Sequence, residues 1–169
     1  AYVMMAWRIA YCKIFYPLAY YAAFFSIRAS AFSYEIMCQG RDKLEYYLAD
    51  YKKRVDTLSK KEQDTLRDMR IVQEMYARGF DFMPLDIYRA KARDFQVIDG
   101  KIMPSLSSID GLGDKAAEAV VDAVKDGAFL SIEDFSNRSK VNGTLCSLMS
   151  DLGLLNDLPK SNQLSLFDL

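Results

Sequence analysis

The stretch Ile109-Asp110-Gly111-Leu112-Gly113-Asp114-Lys115-Ala116-Ala117-Glu118-Ala119-Val120-Val121 constrains this chain more than any other. Two glycines around one leucine permit left-handed backbone angles and close approach, and the alanine-rich run after them reads as a helix with small residues on its inner face. Consecutive backbone N–H groups at such a turn, together with the helix N-terminus that follows, can meet a phosphate oxygen without any side chain. The spacing predicts Leu112 as a packing plug and Lys115 one step into the helix. Ala116 and Ala119 are expected where a neighbouring helix comes close. A second, degenerate copy follows as Lys140-Val141-Asn142-Gly143-Thr144-Leu145, so the expectation is a tandem unit.

Upstream the texture is helical. Tyr2 to about Ala31 is aromatic-rich, with Pro17 placed where one helix must end and another can begin. The segment from Ile14 to Ile27 is almost wholly apolar, and Arg8, Lys13 and Pro17 interrupt any longer window. It is shorter than the roughly 20 residues a bilayer demands, so it reads as a buried core helix pair and not as a membrane span. Arg41 to Leu58 sets Leu44, Tyr47, Leu48, Tyr51, Val55 and Leu58 on one face. Ser59-Lys60-Lys61-Glu62 has the form of a capping box, and Gly79 marks the end of the next helix. Asp64 and Asp68, four apart among Lys61, Arg67 and Arg70, read as a solvated, ion-paired face and not as a metal pair.

From Phe80 to Met103 the chain turns to short extended stretches, Phe80–Met83 and Phe95–Ile98, and Asp99-Gly100 signals a type I′ hairpin before Lys101-Ile102-Met103. Pro104 closes it. Helices resume at Asp114, with breaks at Gly127, Ser131 and Asn142-Gly143, and a polar tail runs from Asp157. The fold class is therefore mainly α, with a short β-hairpin connector. The expected divisions are a helical segment over 1–79, the connector over 80–104, a tandem hairpin unit over 105–157 and a flexible tail over 158–169.

Charge shapes what this unit can bind. Residues 1–104 carry 17 Lys and Arg against 13 Asp and Glu, whereas residues 105–160 carry 5 against 9. An acidic module cannot grip nucleic acid through a broad basic patch. Oriented backbone amides can still do so, with Lys115, Arg138 and Lys140 as the side chains expected to assist. Cys12, Cys38 and Cys146 show no metal-ligand spacing, and the chain has no histidine. A reducing, intracellular setting follows, and the start lacks the order of a secretory signal. The abrupt helical opening without a start methionine reads as a fragment.

Gln163-Leu164-Ser165-Leu166-Phe167 is the sharpest short motif. Leu166 and Phe167 suit an apolar pocket, Leu164 its edge and Gln163 an oriented amide contact, so the tail reads as a linear peptide offered to a partner.

These residues carry family resemblances. The Ile109–Val121 frame resembles the helix-hairpin-helix motif, a sequence-independent binder of the DNA backbone, and the C-terminal pentapeptide resembles the bacterial sliding-clamp-binding peptide. Ala1–Tyr11, Tyr16-Pro17-Leu18 and Tyr20–Ala23 are similar to the distal fingers of the DNA polymerase III alpha subunit, and Ala77–Pro104 with Gly111–Gly113 to its PolC type from low-GC Gram-positive bacteria. A chain ending directly after the clamp peptide also suits that type.

The resemblance implies fingers helices over 1–79 and DNA contacts from Gly111, Leu112, Gly113, Lys115, Arg138, Lys140, Asn142 and Gly143. It also implies clamp contacts from Gln163, Leu164, Ser165, Leu166 and Phe167. The implied partners are duplex DNA, the sliding clamp (beta subunit), and the palm, thumb and remaining fingers upstream, with no membrane. The implied location is the cytoplasm, at the nucleoid and replisome. The Mg²⁺-binding palm acids of the whole polymerase have no counterpart here, so no catalytic residue, metal or cofactor is expected in this stretch. The competing reading is a repair protein or translesion polymerase accessory region that combines the same two motifs.

Overall fold

A computed structural model describes residues 1–29 and 31–161. Its elements are α1 (Tyr2–Phe15), α2 (Pro17–Ile27), α3 (Tyr34–Met37), α4 (Arg41–Lys53), α5 (Lys60–Ala77), β1 (Gln96–Ile98), β2 (Lys101–Met103), α6 (Asp114–Lys125), α7 (Ile132–Ser139) and α8 (Gly143–Asp151). The mainly helical class with a small antiparallel hairpin is as the sequence predicts. Among the described residues no helix is long and apolar enough to cross a membrane.

Local chemistry sets most boundaries. Pro17 opens α2 at the position where its missing N–H costs nothing. Ser59 and Glu62 form the reciprocal capping box of α5, each side chain satisfying the other residue's backbone N–H. Asp99 and Gly100 both take positive φ (50° and 74°), as a type I′ turn requires, and set the register Gln96 to Met103. The preceding extended stretch contributes only an isolated bridge between Phe82 and Ile102.

Two hydrophobic clusters fill the molecule. One gathers α2, α4 and α5 around Phe25, Leu44, Leu48 and Met69 and takes in Phe82, Phe95 and Ile102. The other lies under α6, α7 and α8 and takes in Leu85, Ile87, Ala90 and Met103, together with Tyr34. Residues 80–104 thus contribute to both. The Tyr34 hydroxyl accepts a hydrogen bond from Leu85 N–H at 3.2 Å across the junction.

Several expectations need correction. The first helix of the supposed buried pair has no buried residue, and on the second only Tyr21, Ala22 and Phe25 are buried. Polar contacts tie α1 to α5. Lys13 pairs with Glu74 of α5 at 2.7 Å, and Arg78 donates to the Lys13 carbonyl at 3.0 Å. Tyr21 donates to Glu74 at 2.6 Å, and burial together with that hydrogen bond pushes its pKa up to about 12. The helix read over Arg41–Leu58 ends at Lys53, and a short 3-10 turn leaves Val55 exposed while Leu58 is buried.

Asp64 and Asp68 are ion-paired, but the face is not solvated throughout. Asp68 is fully buried, bonded to Arg28 through one oxygen, with its other oxygen lacking a hydrogen bond among the described residues. Burial pushes its carboxyl above the usual range in spite of Arg28. The described part of the tail is also anchored, since Pro159 accepts a hydrogen bond from Ile132 N–H at 2.8 Å.

Candidate nucleic-acid interface

The first hairpin is built around Gly111, whose φ of +86° is left-handed. Leu112 N–H closes the turn onto the Ile109 carbonyl at 3.0 Å, and the Leu112 side chain, 2% exposed, plugs the core below. Gly113 is then the N-cap of α6, with φ −67° and ψ 166°. It has no side chain to cap with. The N–H groups of Gly113, Asp114, Lys115 and Ala116 consequently make no hydrogen bond among the described residues. They form the outward-facing row of donors that an anion at a helix N-terminus uses. Of the two glycines only Gly111 needs a positive φ. Gly113 keeps an ordinary backbone, and a Cβ built on it meets nothing within 4 Å, so its bareness faces open space.

The second hairpin repeats this backbone in a different register from the one its glycine suggests. Lys140 takes the left-handed position (φ 60°, ψ 18°), Val141 is the plug at 3% exposed, and Asn142 is the N-cap with φ −72° and ψ 161°. Gly143 is simply the first residue of α8. The correspondence continues along the helices. Ala117 and Val120, four and seven residues after the first N-cap, are buried, as are Cys146 and Met149 at the same offsets from the second. The alanines expected on the inner face, Ala116 and Ala119, are only half-buried.

The two hairpins lie side by side, since a Cβ on Gly111 would sit 3.1 Å from Leu145 Cδ2. They are not equivalent. The Asn142 side chain accepts from Leu145 N–H at 2.9 Å, and so uses up the donor that hairpin one leaves free at Ala116. Only Gly143 and Thr144 keep theirs unbonded within α8.

Among the expected cations, Lys115 and Lys140 are exposed and make no ion pair among the described residues. Arg138 is a correction. Its guanidinium lies over the Phe129 ring, centroid 4.6 Å away, and donates to the carbonyls of Ala123, Gly127 and Ala128 and to Asp134. It closes the C-terminus of α6, where a cation complements the unsatisfied carbonyls, and its donors are committed inward. Asp134 is held below the usual carboxylate range by Leu130 N–H and by Arg138.

Arg93 was not singled out in the sequence. It reaches from the connector to Asp114 at 3.4 Å and Glu118 at 2.7 Å, and so offsets the acids of the α6 N-terminal half. No local pattern could have found it, because the pairing joins segments far apart in sequence. Gln163, Leu164, Ser165, Leu166 and Phe167 lie outside the described residues. No group of three His, Cys, Asp or Glu suited to a metal occurs among the described residues.

A family model described as the helix-hairpin-helix motif matches residues 79–164. Curated relatives named "DNA polymerase III PolC-type" match from end to end. That of Caldanaerobacter subterraneus subsp. tengcongensis is 40% identical over 167 residues, that of Streptococcus mutans serotype c 43% over 171 and that of Clostridium perfringens 39% over 167. In each case the match covers 99% of this chain and 12% of the relative. The chain therefore spans about an eighth of their length.

Proposed function

This chain belongs to the helix-hairpin-helix family, and from that premise we propose that it is the segment of a PolC-type replicative DNA polymerase that grips duplex DNA and tethers the enzyme to its sliding clamp. The observation that carries the reading is the doubled backbone pattern of left-handed residue, buried plug and N-cap at Gly111–Gly113 and Lys140–Asn142, inside the region the family model matches.

In this reading Gly111 sets the turn, Leu112 fixes it to the core, and the bare Gly113 lets a phosphate reach the free N–H groups of residues 113–116. Lys115 adds a mobile charge beside them. Lys140, Asn142 and Gly143 supply a second, weaker contact to a neighbouring phosphate. Such contacts position a duplex and read no bases, as suits an enzyme that must travel along any sequence. Residues 1–79 are the distal fingers segment, 80–104 the connector and 105–157 the tandem hairpin unit.

Gln163–Phe167 is the clamp peptide. The whole polymerase performs Mg²⁺-dependent nucleotidyl transfer with acids elsewhere in its chain, in the cytoplasm at the replisome. The isolated 169-residue chain extends no primer.

Two titrations test the reading. Binding to a mixed-sequence duplex should be independent of sequence and weakened strongly by Gly113→Val. Equal affinity of wild type and variant, with both folded, overturns the phosphate role. Binding to the purified clamp should vanish when the last nine residues are removed, and its persistence overturns the tether.

A further inference from the structure

The groove in front of the first hairpin is not made by the hairpin unit alone. It encloses about 390 Å³ and has Gly111, Gly113 and Asp114 on one side and Ala29, Phe32 and Lys61 on the other. Lys61 comes from the first turn of α5, some fifty residues before the hairpin. Hydrogen bonds fix the two walls against each other. Ser33 donates to Asp110 of the hairpin, and Thr65 of α5 donates to the Ala31 carbonyl at 2.9 Å. The position of Lys61 relative to Gly113 is therefore set by the fold and not by a hinge.

Of the two carboxylates in the groove, Asp114 pairs with Arg93, whereas Asp110 accepts the Ser33 hydroxyl and keeps its charge. Lys61 is exposed, and its ammonium has no ion-pair or hydrogen-bond partner among the described residues. The amide dipoles of the hairpin hold a phosphate without neutralising it, and Lys115 supplies one countercharge on the hairpin's own side. Lys61, on a flexible stem across the groove, supplies a second.

We propose that Lys61 contacts the phosphate backbone of the same duplex that the Gly111–Gly113 hairpin holds, so that the DNA footprint crosses from the hairpin unit onto α5. This rests on the duplex reading above. It adds a cation from the opposite half of the chain, the half in which Lys and Arg outnumber Asp and Glu.

The test is a salt series, from about 50 to 200 mM, of a mixed-sequence duplex titrated with the 169-residue chain and its Lys61→Gln, Lys61→Arg, Lys125→Gln and Gly113→Val variants. One phosphate contact contributes about 0.9 to the slope of log affinity against log salt. Lys61→Gln should flatten the slope by about that amount, and its affinity deficit should shrink about 3.5-fold across the series. Lys61→Arg should keep the wild-type slope. So should Lys125→Gln, because that lysine lies at the far end of α6, paired with Asp122. A wild-type slope for Lys61→Gln, with Gly113→Val still weakened, overturns the proposal and leaves the hairpin reading intact. Wild-type binding by Gly113→Val removes the hairpin reading, and the proposal falls with it.

Discussion

Replacing Gly113 by asparagine should separate DNA binding from folding, and the molecule already shows what the substitution would do. Asn142 occupies the equivalent N-cap with nearly the same backbone (φ −72°, ψ 161° against −67°, 166°) and caps Leu145 N–H at 2.9 Å. An asparagine at 113 has room, since no atom lies within 4 Å of the built Cβ. It would cap Ala116 N–H in the same way. Asparagine exceeds glycine as an N-cap by a few tenths of a kcal/mol, so Tm should move by no more than about 1 °C for a chain of this size.

Binding should respond in the opposite direction. The variant withdraws one N–H from the anion and puts a side chain where the phosphate approaches. A hydrogen bond to a charged group is worth about 1.5–3 kcal/mol, which corresponds to roughly 10- to 100-fold in affinity. Gly111→Ala should do the reverse, because φ is +86° and the new methyl would crowd Leu145 at 3.1 Å. A left-handed alanine costs about 1–2 kcal/mol, or roughly 2–8 °C in Tm. Fluorescence anisotropy with a labelled duplex, run beside thermal melting, reads both. A Gly113→Asn protein with wild-type Tm and wild-type affinity would refute the account of Gly113 as a bare site for phosphate.

Three further outcomes follow from particular contacts. Arg138→Gln should lose stability on the order of 2 kcal/mol, read by urea denaturation, while leaving the salt slope of duplex binding unchanged, because its donors serve α6 carbonyls. Arg28→Ala should destabilise by on the order of 2 kcal/mol by stranding the buried Asp68 carboxylate, and Asp68→Asn by clearly less; equal costs in chemical denaturation would contradict the burial argument. Leu166→Ala and Phe167→Ala should each weaken clamp binding by about 30-fold or more at unchanged Tm, whereas Ser165→Ala should matter little, as measured by direct titration.

What was legible in the sequence is what short-range chemistry decides. The capping box at Ser59–Glu62, the Asp99-Gly100 turn and the Gly111–Leu112 turn each depend on residues within a few positions of one another, and all three stand as read. Burial depends on partners at a distance, and there the reading failed. Apolar content marked α1 for the core, yet hydrophobicity does not say what covers a helix, and α1 is attached by Lys13, Glu74 and Arg78. The Asp64–Asp68 spacing suggested solvated pairs because Arg28 is 40 residues away. Arg138 looked like a free cation for the same reason. The second hairpin was legible as a degenerate copy over Lys140–Leu145, but not that Lys140 fills its left-handed position, a place that non-glycine residues seldom take and that sequence therefore points away from.

The sharing of residues 80–104 between the two hydrophobic clusters bears on cooperativity. Phe82, Phe95 and Ile102 complete one core while Leu85, Ile87, Ala90 and Met103 complete the other, so nearby residues of one short connector, Ile102 and Met103 among them, serve opposite cores. Neither core can open without pulling an apolar wall off its neighbour. Heat or denaturant should therefore melt the helical block and the hairpin unit together, in one transition seen alike by far-UV circular dichroism and by the near-UV signal of the buried aromatic residues, Tyr21 and Phe25 in one core and Tyr34 and Phe135 in the other. The same coupling makes the connector a mechanical link: strain placed on the hairpins is passed to the helices that carry α1.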